Sequence, residues 1–268
     1  MPLPPALRRL DADLPACPRT LVQMLALLER EDAPLGEMAE LIESDLALAS
    51  AVVRTVNSAM FGLLRRVETV GEAVRYLGTR EVAAITYETA LRAAFAPSPA
   101  MEALWQRAGR GGLLMGRSAR ALGLDGLHAH TAGLFAHSGQ AVLLAHAPQR
   151  YGALLAGLGH DRAALVAAET EAFGVSHASY GSALCAAWGL ASDVVHFVRE
   201  RIRPTDAWAG LDPRLRRLLG LGAVVDTLLQ EEDLEAAAEQ LAQAGGCQRD
   251  ELIDAVQPPW TRLQAALA

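Results

Sequence analysis

Seven histidines are the side chains best suited to proton transfer or metal binding near neutral pH, and their spacing limits what they can do together. His160-Asp161 places an imidazole beside a carboxylate, a doublet able to ligate a divalent metal. Its setting between Gly157, Gly159 and a new helix predicts an interhelical turn instead, with Asp161 as the N-cap and His160 in solvent. His128 and His130 fall on one predicted helix, about 200° apart in azimuth, and cannot readily chelate one ion. His137 and His146 also miss the three- or four-residue step that brings helical ligands together. Cys17, Cys185 and Cys247 have no metal-like spacing, and their odd number argues against a disulfide framework and fits a reducing cytosol. Arg199, Arg201 and Arg203 could meet phosphate near a helix end, although the helix dipole alone favours cations there. No Gly-rich loop follows a strand and no Gly-Xaa-Ser-Xaa-Gly occurs, so P-loop, dinucleotide and serine-hydrolase chemistry lack their context.

The elements that must position these side chains are helical nearly throughout. The chain has 268 residues, 51% hydrophobic and 21% charged, enough to bury a substantial core. Its formal charge of −7 opposes general nucleic-acid binding, and every one of the 24 basic residues is Arg. Leu21, Met24, Leu25 and Leu28 form one apolar face, and Leu35, Met38, Ala39 and Ile42 form the next. Ser44 is the expected cap of a third helix through Val56, and Thr69 with Glu72 forms a capping box for a helix ending at Gly78. Ala96-Pro97-Ser98-Pro99 is the clearest break, with Ser98 as cap of a long helix ending at Gly123. Glycines 109, 111, 112 and 116 in that helix suggest close approach by another helix. Residues 126–149 contain no charged side chain apart from histidine, which predicts one buried helix from Leu127 to Ala147 rather than a membrane span. After Pro204 the composition shifts, with Arg214, Arg216 and Arg217 ahead of an acidic run from Glu231; solvated helix faces are expected there. The N-terminus lacks the order of a secretory signal.

Taken in order, these residues resemble the HDOD (HD-related output domain) family, an all-helical bacterial signalling module related to metal-dependent HD phosphohydrolases. The resemblance covers about Leu14 to Arg203. It rests on Leu14-Pro15, Ile42-Glu43-Ser44-Asp45 and Val56-Asn57-Ser58-Ala59-Met60-Phe61-Gly62, then Ala73-Val74 and Leu77-Gly78. Further matches are Leu104-Trp105, Ala132-Gly133-Leu134-Phe135, Glu169, Phe173-Gly174-Val175, His177-Ala178 and Trp188-Gly189-Leu190.

The resemblance implies a catalytic ancestor whose metal ligands are replaced here. Its Trp-Xaa-His-Ser stretch reads Trp105-Gln106-Arg107-Ala108, its His-Asp pair falls on Ala136-His137, and its later His-His pair falls on Glu200-Arg201. Ala191 stands for a proline of the family pattern. The implied fold is an N-terminal helical bundle, 1–97, a degenerate HD-like bundle, 98–205, and a helical extension, 206–268. The implied function is non-enzymatic, cytoplasmic signal output through protein partners of unspecified identity, self-association included, without nucleic acid, membrane, metal or cofactor. One alternative is a regulator holding a nucleotide or other phosphorylated ligand in the relic cleft through Arg107, His137, His177 and Arg201. Another is a residual metal-dependent phosphohydrolase. Asn57, Ser58 and Phe61 are candidate partner-facing or loop-positioning residues, and His177 is expected to hydrogen-bond across the bundle.

Overall fold

The computed structural model describes residues 14–28, 30, 35–58, 63 and 65–267, and among them every regular element is a helix. The chain divides into two compact units. One contains the described residues within Ala16–Ala94 and Pro258–Ala268; the other contains Phe95–Gln257 with Leu14 and Pro15. The first boundary lies close to the Pro-rich break. Residues 206–257, expected as a separate extension, instead group with the HD-like unit, because Leu218, Leu219, Leu221, Val224 and Val225 are buried there.

The N-terminal unit is built from α1 (Arg19–Leu28), α2 (Leu35–Glu43), α3 (Leu46–Val56), α4 (Val70–Leu77) and α5 (Thr79–Ala93). Leu21, Met24 and Ile42, from the faces read in the periodicity, are fully buried, as are Val52, Val56, Ala73 and Leu91, but Leu35 is 49% exposed at the first position of α2 and Leu25 and Leu28 are half-buried. The Thr69 capping box forms: Glu72 N–H donates to Thr69 Oγ1 at 3.1 Å, and the Glu72 carboxylate accepts from Glu68 N–H at 2.8 Å. Ser44 does not cap α3. Its hydroxyl donates back to Leu41 O at 2.6 Å, and Asp45 accepts from Ala47 and Leu48 N–H instead, since a carboxylate is the stronger acceptor at a helix N-terminus. Asn57 ties the end of α3 to Val67: its amide donates to Val53 O and Val67 O, and its Oδ1 accepts from Val67 N–H.

The second unit begins with α6 (Pro99–Ala119), capped by Ser98, whose Oγ accepts from Met101 N–H at 3.1 Å. A short 3₁₀ turn then ends at left-handed Gly123. The expected continuous helix over 127–147 is two helices, α7 (Gly126–Phe135) and α8 (Ser138–His146), broken at Ala136-His137. Then come α9 (Pro148–Leu158), α10 (Arg162–Phe173), α11 (His177–Ala187), α12 (Ser192–Glu200), α13 (Pro213–Leu229) and α14 (Leu234–Gly245). In the last helix, α15 (Arg249–Leu267), the division between units falls between Gln257 and Pro258. Arg216 and Arg217, expected on a solvated face, are half-buried instead. Arg216 donates to the carbonyls of Gln243 and Ala244 at the end of α14, and Arg217 to those of Leu122 and Gly246.

Glycine sets the closest helix contacts of this unit. A Cβ at Gly133 would lie 2.8 Å from Gly111 O and Gly112 Cα, so α6 and α7 cross backbone to backbone. A Cβ at Gly139 would overlap the carbonyl of His177, and one at Gly181 would lie 3.0 Å from Gly139 N, so α8 and α11 meet in the same way. Trp188 Nε1 donates to Pro15 O at 3.0 Å, which ties the first described residues to this unit. Gly139→Ala should destabilise the protein by at least about 1–3 kcal/mol, a drop of several degrees in Tm. Gly152→Ala, on α9 with nothing within 4 Å of the added methyl, should leave Tm unchanged or raise it. Thermal unfolding of both variants checks the contrast, and equal effects would refute it.

Candidate functional site

Arg107 on α6, His137 between α7 and α8, His177 at the start of α11 and Arg201 just past α12 border one cleft of about 670 Å³. The break at Ala136-His137 turns the imidazole into it, where an unbroken helix would have run past. His137 Nδ1 meets Gln140 Oε1 at 2.8 Å, so Nδ1–H is the donor and Nε2 keeps its lone pair. Burial above all, then the Arg201 and Arg107 cations, lowers the His137 pKa to about 3 and holds the ring neutral.

Arg201, 7% exposed, donates through Nη2 to Asp226 Oδ2 at 2.6 Å and through Nη1 to Ala136 O at 3.4 Å. Asp226, 8% exposed on α13, also accepts from Arg162 Nη2 at 2.8 Å. Arg162 closes the cluster by donating to Arg201 O at 3.3 Å. Burial opposes ionisation of Asp226, but the charges of Arg201 and Arg162 outweigh it and hold the carboxyl below its usual range. Arg107 acts on Asp226 and Arg201 through its charge, while its Nε is buried without a hydrogen-bond partner.

His177 is held from beneath. Its backbone N–H and its Nδ1 both reach Glu169 Oε2 at 2.8 Å, so the carboxylate on α10 caps α11 where Ser176 offers no side-chain bond. Tyr151 Oη donates to the other carboxylate oxygen at 2.6 Å. Glu169 has no solvent exposure, and its carboxyl group meets three protein groups, the His177 backbone N–H, the His177 ring and the Tyr151 hydroxyl. The cross-helix hydrogen bond expected of His177 is therefore present, and the same ring borders the cleft.

The remaining candidates lie elsewhere. Asp161 caps α10 through Ala164 N–H at 3.0 Å, and His160 is exposed at the cleft rim. His128 pairs with Asp193 at 2.8 Å, while His130 is buried against Gly116, its pKa lowered to about 4 chiefly by burial. Asn57 and Ser58 belong to the other unit, and Phe61 lies outside the described residues.

A divalent metal does not fit this donor set. The cleft offers the imidazoles of His137, His177 and rim-exposed His160 and the exposed carboxylate of Glu232 beside three guanidinium groups, and Asp226 is already engaged by two of those. Among the described residues no group of three or more His, Cys, Asp or Glu side chains could hold an ion.

The HDOD domain profile matches residues 14–204, most of the chain. The chain belongs to the HDOD domain family. The HDOD match ends before Asp226, so one member of the charge cluster comes from outside the matched segment. An uncharacterised protein of Treponema pallidum (strain Nichols) is 29% identical over 194 residues, which cover 71% of this chain and 38% of that protein. An HDOD domain protein of unknown function from Geobacter sulfurreducens shares the fold at a TM-score of 0.71 with 19% identity, covering 97% of this chain and 94% of its own. A protein of Shewanella amazonensis SB2B, provisionally named a phosphohydrolase, does so at 0.72 with 20% identity and 98% coverage of both chains. A protein of Marinobacter aquaeolei VT8, provisionally named for signal transduction, does so at 0.72 with 22% identity, covering 97% of this chain and 63% of its own. Among the described residues no helix is long and apolar enough to cross a membrane.

Residue-by-residue reading assigned no role to Asp226, Arg162, Gln140 or Tyr151. Asp226 does leave a signal, as the single charge in the run from Leu218 to Leu229.

Asp226→Ala should cost about 3–5 kcal/mol, because it strands Arg201 as a buried cation. Adding Arg201→Met should recover much of that loss; additive losses in urea unfolding would show that the two do not interact. His130 and His137 start from 6.5 and fall to about 4 and about 3 on folding, so the unfolded chain binds more protons between those limits. Stability should therefore fall on acidification from pH 6.5 towards pH 4, by up to about 1.4 kcal/mol per pH unit for each ring. His137→Gln should flatten that slope in urea titrations at about pH 7, 6 and 5, and an unchanged slope would contradict the assignment.

Proposed function

We propose that this chain is a non-enzymatic signal-output module that acts through protein partners, with a relic cleft in place of a catalytic centre. The observation that carries the reading is the 2.6 Å ion pair between Arg201 and Asp226. By the resemblance, Arg201 stands at a metal-binding histidine, and here its guanidinium occupies the carboxylate that a metal would need. Arg107 at a second such position adds to the repulsion of a dication. Without a metal-activated water, attack on phosphorus lacks its nucleophile. The signal-transduction name of the Marinobacter protein of the same fold agrees with the reading. The net charge of −7 favours protein over nucleic-acid partners, and a cytoplasmic location is part of the proposal.

The test is metal analysis of the purified full chain together with hydrolysis of a p-nitrophenyl phosphodiester in Mn²⁺. The expected outcome is metal well below stoichiometric and no turnover above background. Stoichiometric metal with turnover abolished by His137→Ala would overturn the reading.

A further inference from the structure

We propose that the cleft binds a small phosphate monoester anchored by Arg107, and that Asp226 limits its affinity by competing for Arg162 and Arg201. The proposal deepens the reading of the cleft as non-catalytic. It starts from a charge imbalance on one wall. Arg107, Arg162 and Arg201 face the cavity against a single interior carboxylate, Asp226, which is shared by two of them. Glu232 also borders the cleft but is exposed, where water weakens its field, and Glu169 lies beneath His177 and is spent on that ring, its backbone N–H and Tyr151. The surplus of two positive charges matches a phosphate monoester dianion.

Arg107 is the group that lacks a counterpart. Its Nε is buried and unbonded, although a guanidinium fork is built to meet two oxygens at once. Burying such a donor without a partner is costly unless something else satisfies it. Asp226 already holds the other two arginines as a phosphate would, with two charge-assisted bonds at 2.6 and 2.8 Å. An incoming phosphate can take Arg107 outright and must contest the other two.

The rest of the cavity suits the organic part of such a ligand. Leu104, Leu155, Ala156 and Leu165 supply an apolar wall, and the neutral His137 ring offers an acceptor for a hydroxyl. The volume of about 670 Å³ lies within the range of small-molecule sites.

The experiment is calorimetric titration of the full chain with adenosine 5′-monophosphate, guanosine 5′-monophosphate, ribose 5-phosphate, inorganic phosphate and adenosine. At least one monoester should bind with a Kd of about 1 mM or tighter, and adenosine at least about tenfold more weakly. Arg107→Ala should weaken the monoester at least about tenfold with little change in Tm, since its Nε has no hydrogen-bond partner to lose. Asp226→Asn should tighten it, and if that variant melts below the assay temperature, saturating monoester should raise its Tm by more than it raises that of the unchanged chain. No binding by any phosphate, binding indifferent to Arg107→Ala, or weaker binding in the Asp226 variant would overturn the proposal. Product formed from the bound monoester would instead overturn the non-enzymatic reading, so the two failures are separable.

Discussion

A buried guanidinium needs a counter-charge, and in this protein the requirement of Arg201 organises everything around the cleft. Removing the cation from water costs several kcal/mol before any contact is made. The compensation comes from Asp226 on α13, which also engages Arg162 on α10, while the second arm of Arg201 reaches the carbonyl of Ala136 at the break between α7 and α8. One charge pair therefore connects α12, α13, α10 and the α7–α8 junction. It accounts for why residues beyond the family match group with the HD-like unit: the segment that carries Asp226 completes its interior.

Beside these polar contacts, glycines let helices of the same unit pack backbone to backbone. Gly112 against Gly133 and Gly139 against Gly181 bring backbones into direct contact, which fixes helix crossings by sterics alone. The Gly139 contact lies against the carbonyl of His177, so the same approach that locks α8 to α11 also sets where that imidazole stands. Glu169 then fixes the ring's orientation and caps α11 in one interaction. Packing and site geometry are consequently hard to separate here, as expected where small residues replace side-chain interdigitation.

Much of this was legible in local pattern. The Thr69 box, the Ser98 and Asp161 caps, the stop at Gly123 and the burial of Leu21, Met24, Met38 and Ile42 on α1 and α2 are short-range effects, decided by residues within one or two turns. Two local readings failed for identifiable reasons. Ser44 lost the cap to its neighbour Asp45, a stronger acceptor, and the uncharged run over 126–149 concealed a break because hydropathy carries no information about chain direction. Arg107, His137, His177 and Arg201 were named from the resemblance, and the cleft they share required the fold.

By itself the sequence determined an all-helical chain of the HDOD family, with arginine where the family resemblance predicts metal-binding histidines at positions 107 and 201. Periodicity, capping and motif order are properties of neighbouring residues, so they survive without coordinates. The tertiary structure alone decided that Asp226 neutralises Arg201, that Arg107 is left with an unbonded Nε, and that Glu169 serves His177. Those pairings depend on Coulomb and hydrogen-bond terms that act over a few ångströms between residues far apart in the chain, and only the folded helices bring them within range.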